Sequence, residues 1–390
     1  MIYLFTMKNA NVLVMVTPMS PPRLNGIVKY ARERGWRLTF SDRLARQTAD
    51  WRGDGVIATV RAEGYTADCV RRFRSHGIPV VDLTIEQPRL KLPRVIADHR
   101  GIGEAAARHF LERGFTRFAW FSTSWTHVHE LRLDGFTSVI SAAGLPAPET
   151  WILARDIPPE KMDDGRHFAR WLAGRLRAAP KPIAICSYDD ADAARVLNGC
   201  DFAGVTVPED AAVLGIGNET MIAEHQPTPI SSVIQDLEAG GYEGARLLDR
   251  IMDGERTPRC TVLPHGGVII RRSTDTLAAA NPLLRKALFY VRDNLQRSFG
   301  AEQVAGALGI PRAQLTALFQ QELHRSLLAE TMNQRILTAK NLLSGTDLPI
   351  AEIADRCGFC NAGYLSNAFR DAIGVSPRAW RKRTSAGRSV

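Results

Sequence analysis

The 390-residue chain has no run of some 18 apolar residues, so no transmembrane helix is expected. Its opening, Met1-Ile-Tyr-Leu-Phe-Thr-Met7, is apolar but short. It has no basic stretch and no small-residue cleavage site, so it does not read as a secretory signal. It reads as a ragged start, with Met7 a second candidate initiator, and a cytoplasmic protein is expected. There is no Walker loop and no Gly-x-Ser-x-Gly elbow. Gly101-Ile-Gly103 lacks the third glycine of a dinucleotide fingerprint. No nucleophile, base and orienting group can be assembled, so no enzyme is expected. His127 and His129 could flank a site, but two exposed loop histidines mean little alone. The six cysteines are scattered, which suits a reducing compartment. Cys357-x-x-Cys360 has metal spacing, but no second Cys or His pair follows it, and Cys357 falls on an apolar helix position. A structural thiol fits better than zinc, which needs four ligands. No metal and no cofactor is implied.

What is present suits a globular protein of two or three domains. Apolar residues make up 45% and charged residues 23%, with no low-complexity tract. Charge is unevenly placed. Residues 281–390 carry 15 Lys and Arg against 8 Asp and Glu, a balance of +7 out of +9 for the whole chain. A positive end of this kind suits phosphate neutralisation.

From about 11 to 270, apolar strands alternate with amphipathic helices. Strands are expected at 11–16, 55–58, 79–83, 94–98, 117–121, 182–186 and 212–216. Helices are expected at 25–34, 70–75, 101–113, 135–143, 165–176, 191–203 and 237–252. Near-continuous apolar strands between such helices imply parallel sheets covered on both faces. The series has no eightfold closure, so two doubly wound lobes are expected.

The tail changes character. Ala301 to Phe319 reads as helix, tight turn, second helix: Val304 and Leu308 face inward, Ala305 is small, and Gly309 supplies the turn. Ile350 to Phe359 repeats it. Ile353, Ala354, Cys357, Gly358 and Phe359 stand 49 residues after Val304, Ala305, Leu308, Gly309 and Ile310, and Leu365 and Phe369 match Leu315 and Phe319 at 50. Asn281-Pro282 opens a preceding helix with an apolar stripe, Leu284, Ala287, Leu288, Val291 and Leu295. A long helix near 327–343 should join the two motifs and space them by one turn of DNA. With Gly374-Val-Ser-Pro-Arg-Ala-Trp-Arg-Lys-Arg behind the second copy, the region 281–385 resembles the AraC-type transcription regulators.

The middle resembles the sugar-binding core of LacI-type regulators and periplasmic binding proteins. The residues that carry this are Asp98-His99-x-x-Gly, Arg132-Leu-Asp-Gly-Phe, Tyr188-Asp-Asp, Val207-Pro-Glu-Asp-Ala-Ala-Val-Leu-Gly-Ile and Pro229-Ile-Ser-Ser-Val. A binding core that precedes an AraC-type tail is the arrangement of the xylose-operon regulators. The resemblance implies a bilobed, doubly wound α/β sensor over 8–275, a linker over 276–283 and an all-α DNA-binding domain over 284–385. The helix-turn-helix motifs would be 301–320 and 350–370. It also implies ligand contacts from Arg132 and Asp189, with Asn218, Trp125 and Asp98 around them, to a small sugar held between two lobes. Charged groups suit that work because each makes several short bonds to hydroxyls. Arg132 as a surface helix residue and Asp189 as a helix cap remain alternatives. Tyr188, Ala191 and Gly217 depart from the family pattern, and the loop 18–26 looks shortened. The sugar is therefore open among xylose, another pentose and a small polyol.

For DNA, the family's base-contact positions fall here on Ala313, Thr316 and Ala317, and on Asn361, Tyr364 and Asn367. Arg312, Gln314 and Gln320 are the first motif's other polar groups, and Ser366 and Arg378 join the interface. The reading is a sequence-specific DNA-binding regulator controlled by a small sugar. Its partners would be operator DNA, a second copy of the chain and, if it activates, RNA polymerase, with no membrane. The alternative is a sugar carrier or sugar-active enzyme with a nucleic-acid-binding tail.

Overall fold

Among the described residues, twelve strands fall within the first 270. In the computed structural model they are β1 (Asn11–Met15), β2 (Arg37–Phe40), β3 (Gly55–Ala58), β4 (Val80–Asp82), β5 (Arg94–Ala97) and β6 (Phe118–Ser122). The series continues with β7 (Glu149–Ile152), β8 (Ile183–Ser187), β9 (Ala211–Gly217), β10 (Ser231–Ile234), β11 (Cys260–Leu263) and β12 (Val268–Ile269). The structure describes residues 9–16, 20–41, 51–61, 64–158, 165–278, 281–346 and 348–385. The start at Met1 or Met7 and the head of the 18–26 loop lie outside them.

Two six-stranded sheets result. One has the order β11-β5-β4-β3-β1-β2 and is parallel throughout. The other has the order β12-β10-β9-β8-β6-β7 and is parallel except for β12, which runs antiparallel to β10. Every residue of β3, β6 and β8 is buried, as parallel strands covered on both faces require. The inner strand β10 and two edge strands, β2 and β7, were not expected from the sequence. Three of the four β2 side chains and the first two of β7 are exposed, so neither carries the apolar run that marks the inner strands.

The covering helices are α1 (Pro21–Arg34), α2 (Gly64–Ser75), α3 (His99–Leu111), α4 (His127–Ala142), α6 (Gly165–Ala178), α7 (Asp190–Ala203) and α9 (Leu237–Met252); α5 (Leu153–Asp156) and α8 (Thr220–Ala223) are single turns. The chain divides into two compact units. The first is Met1–Gly103 with Trp125–Gly135 and Gln235–His265; the second is Glu104–Ser124, Phe136–Ile234 and Gly266–Val390. In the first, α1 and α9 cross with almost no gap. A Cβ on Gly26 would sit 2.0 Å from the Glu238 carbonyl oxygen, and one on Gly241 2.0 Å from that of Arg23. Only glycine allows this approach.

Beyond the second sheet the chain is helical: α10 (Pro282–Asp293), α11 (Ala301–Leu308), α12 (Arg312–Leu323), α13 (Leu327–Gly345), α14 (Ile350–Arg356), α15 (Ala362–Ile373) and α16 (Pro377–Ser385). Two separate cores form. Leu284, Ala287 and Leu288 of α10 pack on Val304, Ala305, Leu315 and Phe319. Ile336, Ala339 and Leu343 of α13 pack on Ile353, Cys357, Leu365 and Phe369. Cys357 is fully buried there, and burial pushes its thiol up to about 12. The 19 residues of α13 span about 28 Å at 1.5 Å per residue. No helix among the described residues is long and apolar enough to cross a membrane.

Candidate ligand cradle and nucleic-acid interface

In the first unit, polar side chains gather around the carboxyl end of β4, where the first residue of β5 lies beside it. Asp82 is buried and accepts from Arg94 Nε at 3.0 Å, from the backbone N–H of Val60 and Thr84, and from the Thr84 hydroxyl. Burial raises the Asp82 pKa, and its hydrogen bonds only partly offset that. Arg94 also donates to the Gln87 carbonyl, so the pair pins the loop that presents Glu86.

Glu86 accepts the Thr126 hydroxyl at 2.7 Å, and Thr126 sits 2.8 Å from His129 Nδ1. The helix α4 starts at His127, earlier than the apolar pattern suggests, which corrects the reading of its histidines. His129 is buried rather than an exposed loop residue, and burial pushes its pKa down to about 3; His127 is half-buried. Trp125 donates its indole N–H to Glu130 at 3.2 Å, and its ring lies 5.9 Å from that of His129.

Arg132, one turn further along α4, is 4% exposed. It donates to Gln235 Oε1 at 2.7 Å and approaches His99 Nδ1 at 3.4 Å. That excludes the surface-helix alternative. His99 is itself buried, and desolvation with the nearby guanidinium of Arg132 holds it neutral, well below its ordinary pKa. Gln235 also lines a pocket of about 320 Å³ in this unit, walled by Arg23, Leu83, Ile96 and Pro264 among others. A cation, a carboxylate, neutral imidazoles and an amide offer both donors and acceptors, as a hydroxyl-bearing ligand needs. Of this group, sequence reasoning named Arg132 and Trp125 as ligand contacts, with His99 quoted only as part of a motif and His129 only as a residue that could flank a site. Asp98 instead accepts the Gly101 N–H at 2.9 Å and caps α3.

In the second unit three aspartates open α7 with different roles. Asp189 is its N-cap, accepting the Asp192 N–H at 2.7 Å, and is half-buried. The helix-cap alternative is therefore realised for one of its oxygens. Asp190 is buried, takes the Ser232 hydroxyl at 2.6 Å and the Glu219 N–H at 2.7 Å, and is raised to about 6 by burial. Asp192 is buried against the Thr123 N–H. The last two brace loops. Asn218 adopts φ 57° and its amide oxygen accepts from Arg271 at 2.8 Å.

At the helical end, α12 and α15 each bury one face and expose the other. On α12, Leu315, Leu318 and Phe319 are buried, while Arg312, Gln314, Thr316 and Gln320 are exposed. Arg312 pairs with Glu302 at 3.1 Å, and the Thr316 hydroxyl donates to the Arg312 carbonyl. On α15, Leu365 and Phe369 are buried, and Tyr364 and Asn367 are exposed. Asn361 is the exposed N-cap, accepting the Tyr364 N–H at 2.8 Å. Ser366 turns back onto the Ala362 carbonyl. Arg378, on α16, is exposed.

This pairing of parallel α/β sheets with two helix-turn-helix units defines the class. Residues 107–274 match the periplasmic binding protein-like domain, and 304–383 match a helix-turn-helix domain. The chain thus joins a periplasmic binding protein-like domain to a helix-turn-helix domain, the arrangement found in AraC-type regulators that carry a sugar sensor. It is homologous to the xylose operon regulatory protein of Escherichia coli strain K12, with 28% identity over 352 residues, 85% of this chain and 84% of that one. The corresponding protein of Haemophilus influenzae is 28% identical over 74% of each chain. Among solved structures, the xylose-binding transcription activator xylR superposes with a TM-score of 0.60 at 24% identity, over 96% of this chain and 98% of that one, and so shares its fold.

Proposed function

We propose that this protein binds operator DNA through both helix-turn-helix units and that a small sugar, xylose or another pentose, controls that binding. The observation that carries the reading is the pair of recognition helices, α12 and α15, each packed on its own core and each presenting polar side chains outward. A helix of this kind lies in the major groove and reads base edges. The +7 balance of residues 281–390 supplies the attraction to phosphate. Arg132 is the leading effector contact, held by Gln235 and His99. Asp189, Asn218, Trp125 and Asp98 are the further proposed ligand contacts.

The sensor spans 8–275, a linker 276–283 and the DNA-binding domain 284–385. The protein acts in the cytoplasm as a homodimer, contacts RNA polymerase where it activates, and regulates rather than catalyses. The homologous regulators named above support the effector class. The test is fluorescence anisotropy of the full chain on DNA from its own upstream region, with and without a panel of pentoses. Specific binding that one pentose shifts at least tenfold is expected. Equal affinity for that DNA and for unrelated duplex at physiological salt would sink the regulator reading.

A further inference from the structure

A cavity of about 560 Å³ in the second unit shares no lining residue with the ligand cradle or with the exposed faces of α12 and α15. Its walls come from two sources. Arg113, Ile270 and residues 275–277 belong to the end of the sheet-bearing region; Arg285, Leu288, Phe289 and Arg292 of α10, and Gln334, Leu337 and Thr338 of α13, belong to the helical region. Further contacts tie the same junction. Lys340 of α13 pairs with Glu112 at 2.7 Å, and Arg292 pairs with Asp275 at 3.4 Å.

The wall has a distinct chemistry. Three arginines, Arg113, Arg285 and Arg292, line it together with one carboxylate, Asp275, and Arg292 also pairs with Asp293 at 3.0 Å. Arg113 is 8% exposed, and its side chain donates to neutral main-chain carbonyls, of Thr274 at 3.0 Å and His109 at 3.1 Å. Desolvation lowers its pKa to about 10, and the nearby carboxylates of Glu112 and Asp275 offset part of that. The adjacent His109 is fully buried, bonded to the Thr274 hydroxyl and held neutral. A buried cation bonded to dipoles is further stabilised by a counter-ion. Leu277, Leu288, Phe289 and Leu337 add apolar surface to the lining, with the Arg292 guanidinium 4.7 Å from the centre of the Phe289 ring. A lining that is mostly apolar with a few convergent polar groups is the kind that suits a small molecule.

We infer that this junction cavity is a second ligand site, distinct from the sugar site, and that it takes a small organic carboxylate with an apolar body. The carboxylate meets the arginines and the body lies on Phe289 and the leucines. The inference does not depend on the sugar reading.

The test uses benzoate as probe and benzamide as its neutral counterpart, by calorimetry on the full-length chain. Benzoate should bind saturably at one site per chain, with benzamide at least tenfold weaker, the range of a charge-assisted hydrogen bond. Leu337→Trp, which fills the cavity, should abolish benzoate binding and leave the response to pentoses unchanged. Arg285→Gln should weaken benzoate about tenfold and serves if the tryptophan variant does not fold. Absence of saturable binding, equal affinity for the two probes, or benzoate binding unaltered in a folded variant would mean that the cavity is a packing gap only.

Discussion

Arg132 donates to Gln235 at 2.7 Å, although 103 residues separate them in sequence. Gln235 opens the segment that leads into α9, so the bond ties the start of one helix to the middle of another. The guanidinium is buried and its direction is fixed, which is what orients a ligand contact. Arg132→Ala should cost at least tenfold in pentose affinity, as expected for a charged hydrogen bond worth ~1.5–3 kcal/mol. Gln235→Leu, which removes one acceptor but keeps the cation, should cost severalfold. Calorimetry decides, and unchanged affinity in both variants would remove the assignment.

The buried histidines make stability depend on pH. His129 has its folded pKa depressed to about 3, and His99 and His109 are also lowered, each chiefly by burial. The folded state then binds fewer protons than the unfolded chain, so stability rises with pH. For His129 the contribution is fully present above the unfolded value, ~6.5, and is lost as pH falls from there towards about 3. At pH 5 the loss from His129 is about 2 kcal/mol, taking 1.36 kcal/mol per pH unit. His129→Gln should flatten the fall in melting temperature between pH 7 and 5; an unchanged slope would contradict burial of the neutral ring.

The parts of this architecture legible from sequence are those with a strong period. The repeated motif at 304–319 and 353–369 is visible because core residues, turn glycine and spacing all recur. Most inner strands are visible because burial on both faces makes them apolar throughout; β10 is not, because its two serines break the apolar run. The edge strand Arg37–Phe40 is not, because its side chains are mostly solvated. The ligand cradle is hardest to see. Glu86, Thr126, His129 and Gln235 are ordinary polar residues far apart in the chain, and only the sheet brings their loops together. Residues 189 and 190 show the reverse difficulty: two adjacent aspartates read alike, yet one caps a helix and the other is buried in a brace.

The two turn glycines of the helix-turn-helix units should respond differently to substitution. Gly309 has φ 67° and open space where a methyl group would project, whereas at Gly358, φ 75°, a Cβ would meet the Leu295 carbonyl oxygen at 1.9 Å. Gly309→Ala should therefore cost only left-handed strain, about 1–2 kcal/mol. Gly358→Ala must also displace backbone and should cost more, above ~3 kcal/mol, or prevent the second core from forming. Chemical denaturation of both variants checks the order; equal losses would mean that the close approach of Leu295 relaxes freely.

The two recognition helices should divide the reading of DNA unequally. Ala313 and Ala317 on α12 can touch a thymine methyl but make no bidentate bond, whereas asparagine can bond an adenine edge in that way, worth roughly 1–3 kcal/mol of discrimination. Asn367 is exposed on α15 and should read bases. Asn361 is different, because its side-chain oxygen already caps α15. Asn361→Ala should cost about 1 kcal/mol of stability from the cap alone, which Asn361→Ser should largely restore. Any loss of base preference that persists in the serine variant then belongs to readout. Arg312, at the start of α12 and exposed, should hold phosphate: Arg312→Ala should weaken all sequences about equally and reduce the salt slope by roughly 1. A base-substitution scan of the operator across salt separates these roles. Relaxed preference at particular base pairs in Arg312→Ala, with uniform weakening in Asn367→Ala, would reverse the assignment of the two helices.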